Sequence, residues 1–192
     1  MVLYIHGFAS SGRGAKALAV RRYFKSGALA PSLSYIPELA IDTLAAIVEQ
    51  TLPQEPVGLI GSSLGGFYAI YLSERYDLPA VLVNPSIEPY KTLAPYTGSV
   101  TNFYDLTTFE WSERHIEQLK RLEVRKIRRP ENYRVMLQTG DETLDYRIAL
   151  SRFRSAETVV EAGGSHAFEG FENHLPKIEK FFTEKEIFCK KA

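Results

Sequence analysis

The sequence holds one cysteine, Cys189, so an internal disulfide is excluded. That fits a reducing compartment. Cys189 stands between Phe188 and Lys190 in a charged tail, and it reads as an unreactive tail thiol. Long apolar runs are also missing, and nothing approaches the ~20 residues that a membrane-crossing helix needs. No basic segment followed by an apolar stretch precedes His6, so no secretory signal is expected and the chain reads as cytoplasmic. An excess of either charge is lacking as well. The 23 basic and 23 acidic residues cancel, which leaves no global attraction to nucleic acid or to an anionic membrane. There is no H-E-x-x-H, no Cys/His cluster and no G-x-G-x-x-G. Neither a metal nor a dinucleotide cofactor is therefore expected. Repeats, low-complexity tracts and linkers are absent too.

What is present is a chain of 192 residues, enough for one domain with a substantial core. Short apolar runs alternate with helical periodicity. Strands are expected at 2–5, 32–36, 57–60, 79–83, 133–137 and 157–160, with Pro37 ending the second. Helices are expected at 16–24, about 41–52, 67–76, about 112–123, 146–153 and 174–188. This alternation predicts an α/β fold with about six mostly parallel strands and helices on both faces.

The chain is organised around Gly61-Ser62-Ser63-Leu64-Gly65-Gly66. The stretch follows an apolar run and precedes a helical one, which is the layout of a nucleophile elbow with Ser63 as the nucleophile. A serine needs a base, and the base needs an orienting acid. Both must follow it on loops at the carboxyl ends of later strands. Asp141, after Gly140 and the strand 133–137, is the candidate acid. Glu142 and Asp145 are rivals, Asp145 being better placed to cap the next helix. His166, in Gly163-Gly164-Ser165-His166, is the candidate base. Of the other histidines, His6 precedes the serine, and His115 and His174 fall in or at the start of expected helices. The oxyanion of a tetrahedral intermediate needs fixed donors. Leu64 N–H supplies one, and the loop His6-Gly7-Phe8 the other, through Phe8 N–H with Ala9 as rival. His6 itself reads as a brace for that loop.

Together Tyr4-Ile5-His6-Gly7-Phe8-Ala9-Ser10-Ser11, the elbow, Asn84-Pro85, Gln138-Thr139-Gly140-Asp141-Glu142 and Gly164-Ser165-His166 resemble the small bacterial YqiA-type esterases of the α/β-hydrolase superfamily. The resemblance covers roughly residues 2 to 182. It implies a reduced α/β-hydrolase fold whose chain starts at what is usually the third strand. It also implies hydrolysis of carboxylic esters or acyl-CoA thioesters, with Ser63, Asp141 and His166 as the triad and no cofactor or metal. The partner expected is a small-molecule ester or thioester, with no nucleic acid and no membrane.

The stretch at about 85–132 is a long insertion, rich in aromatics: Tyr90, Tyr96, Phe103, Tyr104, Phe109 and Trp111. It reads as a small lid lining an acyl pocket, or as an aromatic mini-core under a loop, and one segment can do both. Arg121, Arg125, Lys126, Arg128 and Arg129 close it. They are a phosphate-binding cluster or a solvated face. A C–C hydrolase or a peptidase would use the same triad. A non-catalytic binding or scaffold protein on this fold is the alternative from another class.

Overall fold

The computed structural model describes residues 1–188; Cys189 lies outside the described residues. Eight strands are present among them: β1 (Val2–Ile5), β2 (Ala28–Leu29), β3 (Gly58–Ser62), β4 (Ala80–Val83), β5 (Gly98–Thr101), β6 (Thr108–Trp111), β7 (Tyr133–Gln138) and β8 (Glu157–Glu161). The helices are α1 (Ala15–Phe24), α2 (Pro37–Thr51), α3 (Leu64–Tyr76), α4 (Pro89–Thr92), α5 (Glu113–Arg121), α6 (Tyr146–Arg152) and α7 (Leu175–Glu184).

Six strands form one parallel sheet in the order β2-β1-β3-β4-β7-β8. The order reverses between β1 and β3, and ligands of open α/β sheets bind at such a switch point, beyond the carboxyl ends of the strands. The continuous apolar runs have a simple cause, because the central strands are buried on both faces. Side chains alternate between two cores. Leu3, Ile5, Leu59, Leu82 and Val135 pack against α2, α3, α5 and α6. Val2, Tyr4, Ile60, Val81 and Met136 pack against α1 and α7. At about 1.5–3 kcal/mol for each large apolar side chain removed from water, these two layers are what hold the sheet rigid beneath the site.

The second strand is not at 32–36. It is the two-residue β2, paired with β1 only at Val2 and Leu3. The segment 32–36 spends its polar groups on side chains instead. Leu33 N–H donates to His6 Nε2 and Ile36 N–H to Ser34 Oγ, so no ladder forms. Pro37 does not end a strand but begins α2, where its missing N–H costs nothing. Helix α3 starts at Leu64, earlier than 67; Gly65 and Gly66 are poor helix formers in isolation and are held in the helix by packing.

The stretch 85–132 contains α4, an antiparallel hairpin of β5 and β6, and α5. The sequence does not announce the hairpin. Its six-residue connection, 102–107, lacks an Asn-Gly or Asp-Gly turn. It is fixed from outside by Phe103 N–H on Ala9 O at 2.8 Å and by Asn102 Nδ2 on Ser10 O at 3.4 Å.

Candidate active site

The elbow is built by two close approaches. A Cβ on Gly61 would strike the Gly65 carbonyl, and one on Gly65 would strike the Ile5 carbonyl. With glycine at both, α3 springs directly from β3 and lies against β1. Ser63, between them, is held at φ 55, ψ −122. This is left-handed backbone that an L residue adopts only under constraint, at a cost of about 1–3 kcal/mol. It aims the Ser63 hydroxyl away from the sheet.

The sequence-predicted residues come together. Ser63 Oγ lies 3.0 Å from His166 Nε2. His166 Nδ1 lies 3.0 and 2.9 Å from the two carboxylate oxygens of Asp141. Those three side chains form an unbroken chain from a nearly inaccessible acid, 2% exposed, to a partly exposed ring, 22% exposed. Asp141 Oδ1 also accepts from Thr143 N–H at 2.9 Å and Leu144 N–H at 2.8 Å. Burial alone would raise the Asp141 carboxyl. The bond from His166 and the two backbone N–H groups outweigh it and hold the group below its ordinary value.

The two rival acids do other things. Asp145 caps α6, accepting from Arg147 N–H at 3.0 Å. Glu142 Oε2 accepts the His166 backbone N–H at 3.0 Å. It meets His166 through the main chain and not through the ring.

Phe8 and Leu64 both line the cavity at Ser63, and Ala9 does not. Leu64 is the first residue of α3, so its N–H is one of the helix's orphan donors. Phe8 N–H donates to no protein acceptor among the described residues. The Phe8 ring is locked against Trp111 at 4.8 Å and Phe109 at 5.8 Å between centroids, both edge-on. The aromatic stretch thereby fixes the loop that presents this N–H.

His6 braces that loop from beneath. Its Nε2 accepts from Leu33 N–H at 3.0 Å, which leaves the proton on Nδ1 to donate to Gly7 O at 2.8 Å. Burial lowers the His6 pKa, and the bond to Gly7 offsets this only in part. A base whose folded pKa is lowered binds fewer protons folded than unfolded. Its contribution to stability is full above its ordinary pKa, about 6.5, and lost as pH falls below it. Thermal unfolding between pH 8 and pH 5 is expected to show Tm dropping below about pH 6.5, with a shallower drop in His6→Asn. Equal slopes in the two proteins would refute the brace.

Two buried side chains that no catalytic motif marks complete the support. Asn84, left-handed at φ 39, donates through Nδ2 to the carbonyls of Ser165 at 3.0 Å and His166 at 3.3 Å. Its Oδ1 accepts Gln138 N–H at 3.0 Å. Gln138 in turn accepts from Ser165 N–H at 3.1 Å and Glu169 N–H at 2.8 Å. The end of β4 thus ties the strand that carries Asp141 to the loop that carries His166. An asparagine after a wholly apolar strand and before proline is the sequence signal for it. Asn84→Ala is expected to lower kcat by up to about 10²-fold with KM little changed, because a base displaced by about 1 Å transfers its proton poorly. Steady-state kinetics checks this, and an unchanged kcat would refute it.

The cavity over Ser63 has a volume of about 540 Å³. Thr92, Leu93, Tyr96, Val100 and Phe103 of the stretch 85–132 form one part of its lining. Trp111 is not in it. It is fully buried, stacked on His115 at 4.9 Å and donating to Leu93 O at 3.2 Å. The stretch therefore supplies cavity lining, and its Trp111, Ile116 and Leu119 join the main core with Leu3, Ile5 and Leu59 and form no separate mini-core. The basic cluster lies elsewhere. Arg121 pairs with Glu38, Arg125 with Glu123, Arg128 with Glu74 and Arg129 with Asp77, and none of them lines the cavity. Among the described residues no group of three or more His, Cys, Asp or Glu is arranged to hold a metal ion. None of their helices is long and apolar enough to cross a membrane.

Known proteins share this architecture. A UPF0227 protein of Shewanella woodyi is 27% identical over 191 residues, covering 94% of this chain and 98% of the relative. Among solved structures, Est1E from Butyrivibrio proteoclasticus superposes with a TM-score of 0.71 at 14% identity, over 97% of this chain and 87% of that one. The monoacylglycerol lipase of Paleococcus ferrophilus gives 0.67 at 17% identity, over 95% and 93%. At such identities the likeness concerns the fold, which is a reduced α/β-hydrolase fold. The model of the family described as "Uncharacterised protein family (UPF0227)" matches residues 1–183, and the chain belongs to that family.

Proposed function

We propose that the protein is a serine hydrolase that cleaves carboxylic esters, and by the same chemistry thioesters, through an acyl-enzyme. The observation that carries this is the hydrogen-bond chain Asp141–His166–Ser63 opening into the cavity. The esterase and the lipase that share the fold are in keeping with it, although fold alone does not assign chemistry.

Ser63 Oγ attacks the acyl carbon as its proton passes to His166 Nε2. The carbonyl oxygen becomes an oxyanion and accepts from Phe8 N–H and Leu64 N–H, with the start of α3 adding a favourable dipole. His166 returns the proton to the leaving alkoxide, the C–O bond breaks, and the alcohol departs. Water repeats the sequence on the acyl-enzyme, giving the carboxylic acid and free Ser63. Asp141 stays ionised and keeps the His166 proton on Nδ1, so that Nε2 can accept. The stretch 85–132 acts as a lid: Phe103 and Tyr96 are exposed at the cavity and offer it an apolar wall.

A fluorophosphonate probe should label the protein at Ser63, located by peptide mass mapping, and p-nitrophenyl esters of graded length should be turned over. Absence of both, or labelling at another residue, would overturn the reading.

A further inference from the structure

The cavity holds a charge that the triad does not use, and a part for it in substrate choice rests on the hydrolase reading. Lys16, the second residue of α1, lines the cavity together with Ser63 and His166. Its Nζ donates to Ala167 O at 2.5 Å, one residue beyond the base. That neutral carbonyl is its one hydrogen-bond partner among the described residues. Burial alone pushes its ammonium down, with no carboxylate acting in opposition. On the surface Lys91, Lys120 and Lys180 pair with a glutamate, and Lys25, Lys126 and Lys177, which have no ion-pair partner among the described residues, are exposed to water as Lys16 is not. A partly desolvated cation without a counter-ion is costly to keep, and an anion arriving with the substrate would offset that cost.

A second observation is independent of the lysine. Ser86 Oγ, in the same cavity lining, is buried and has no hydrogen-bond partner among the described residues. Buried hydroxyls are ordinarily satisfied, so this one is left for a polar group of the occupant. The size of the charge can also be read. Among the described residues Lys16 is the single lysine or arginine of the cavity lining, and Glu142 shares that lining. One positive charge, in a lining whose only such carboxylate, Glu142, is engaged with His166 N–H and does not pair with Lys16, suits a monoanion and disfavours a phosphate dianion.

We propose that the preferred substrates are esters that carry a carboxylate, such as half-esters of dicarboxylic acids, with Lys16 Nζ binding the free acid. The competing role for Lys16 is to brace the His166 loop through Ala167, and the test separates the two.

Wild-type protein should show higher kcat/KM for p-nitrophenyl hydrogen adipate than for p-nitrophenyl hexanoate. Lys16→Met should cut that ratio about tenfold, in line with loss of one charge-assisted hydrogen bond, and Lys16→Arg should restore most of it. A ratio unchanged in Lys16→Met, with both esters falling together, would leave only the brace and overturn the proposal. Binding gives a second arm that needs no turnover. Calorimetry on Ser63→Ala should find monomethyl adipate bound more tightly than dimethyl adipate, with the difference gone in Ser63→Ala/Lys16→Met. Equal binding of the two esters by Ser63→Ala would overturn the proposal, as would tighter binding of butyl phosphate than of monomethyl adipate. Failure of the wild type to hydrolyse either p-nitrophenyl ester would instead bring down the hydrolase reading, and the calorimetry would still decide the anion site.

Discussion

Replacing Ser63 with alanine is expected to lower kcat on p-nitrophenyl esters by about 10⁴- to 10⁶-fold and to abolish fluorophosphonate labelling. The size of the loss follows from how the site is arranged. His166 Nε2 has Ser63 Oγ at 3.0 Å, and removing the oxygen leaves the base with nothing to deprotonate but water. What survives is the small rate due to binding and to the Phe8 and Leu64 donors. The same position yields a stability contrast. Alanine keeps a Cβ at φ 55, so it inherits the strain and Tm should stay near that of the parent. Ser63→Gly removes the strain of about 1–3 kcal/mol, less the 0.5–1 kcal/mol that glycine costs in chain entropy. It should be equally inactive yet melt higher, by about 2–4 °C for each kcal/mol of net relief. Thermal melts beside the kinetics read both effects. If Ser63→Gly melts lower than Ser63→Ala, the strained elbow is not where the molecule stores energy for function.

The elbow was legible in sequence because its demands are local. Gly61 and Gly65 answer contacts with residues a few positions away or on the adjoining strand β1, and the pattern of small residues around one serine records them. Asp141 and His166 were singled out by position, since each lies on the loop after a strand, three residues past Gln138 and five past Glu161. The acid could be narrowed but not isolated. Asp141, Glu142 and Asp145 lie on the same loop, and only their hydrogen bonds distinguish them. What stayed hidden depends on partners distant in the chain. The segment 32–36 has the apolar content of a strand, but its backbone is claimed by His6. The hairpin of β5 and β6 has no turn signature of its own and is held by Ala9 and Ser10, about 90 residues earlier by count of sequence. In sequence the Arg-rich end of the insertion reads either as a phosphate-binding cluster or as a solvated face. In the fold its arginines meet Glu38, Glu74, Asp77 and Glu123, while a single lysine of α1 with no cluster around it lines the cavity.

Asp141→Asn is expected to lower kcat by about 10⁴-fold, and Glu142→Gln by less than about tenfold, although the two acids are neighbours. Asp141 meets the His166 ring with both oxygens, and Thr143 and Leu144 N–H fix which way the carboxylate faces. A carboxamide in that place must keep an oxygen on those two N–H groups and so turns its NH₂ toward Nδ1. The ring then carries its proton on Nε2, pointing at Ser63, and cannot accept another. Glu142 holds only the His166 main chain, so its amide still accepts that N–H and the ring tautomer is untouched. Asp145→Ala should leave kcat alone and cost about 0.5–2 kcal/mol of stability through the lost cap of α6. The acid limb of stability should follow Asp141 as well. Its lowered carboxyl stabilises the fold above the ordinary carboxylate pKa near 3.9 and stops doing so as pH falls through the lowered value. Asp141→Asn should therefore flatten the fall of Tm at the acid end. Measured kcat and melts for the three variants decide the assignment, and a Glu142→Gln protein as inactive as Asp141→Asn would move the acid one residue along the loop.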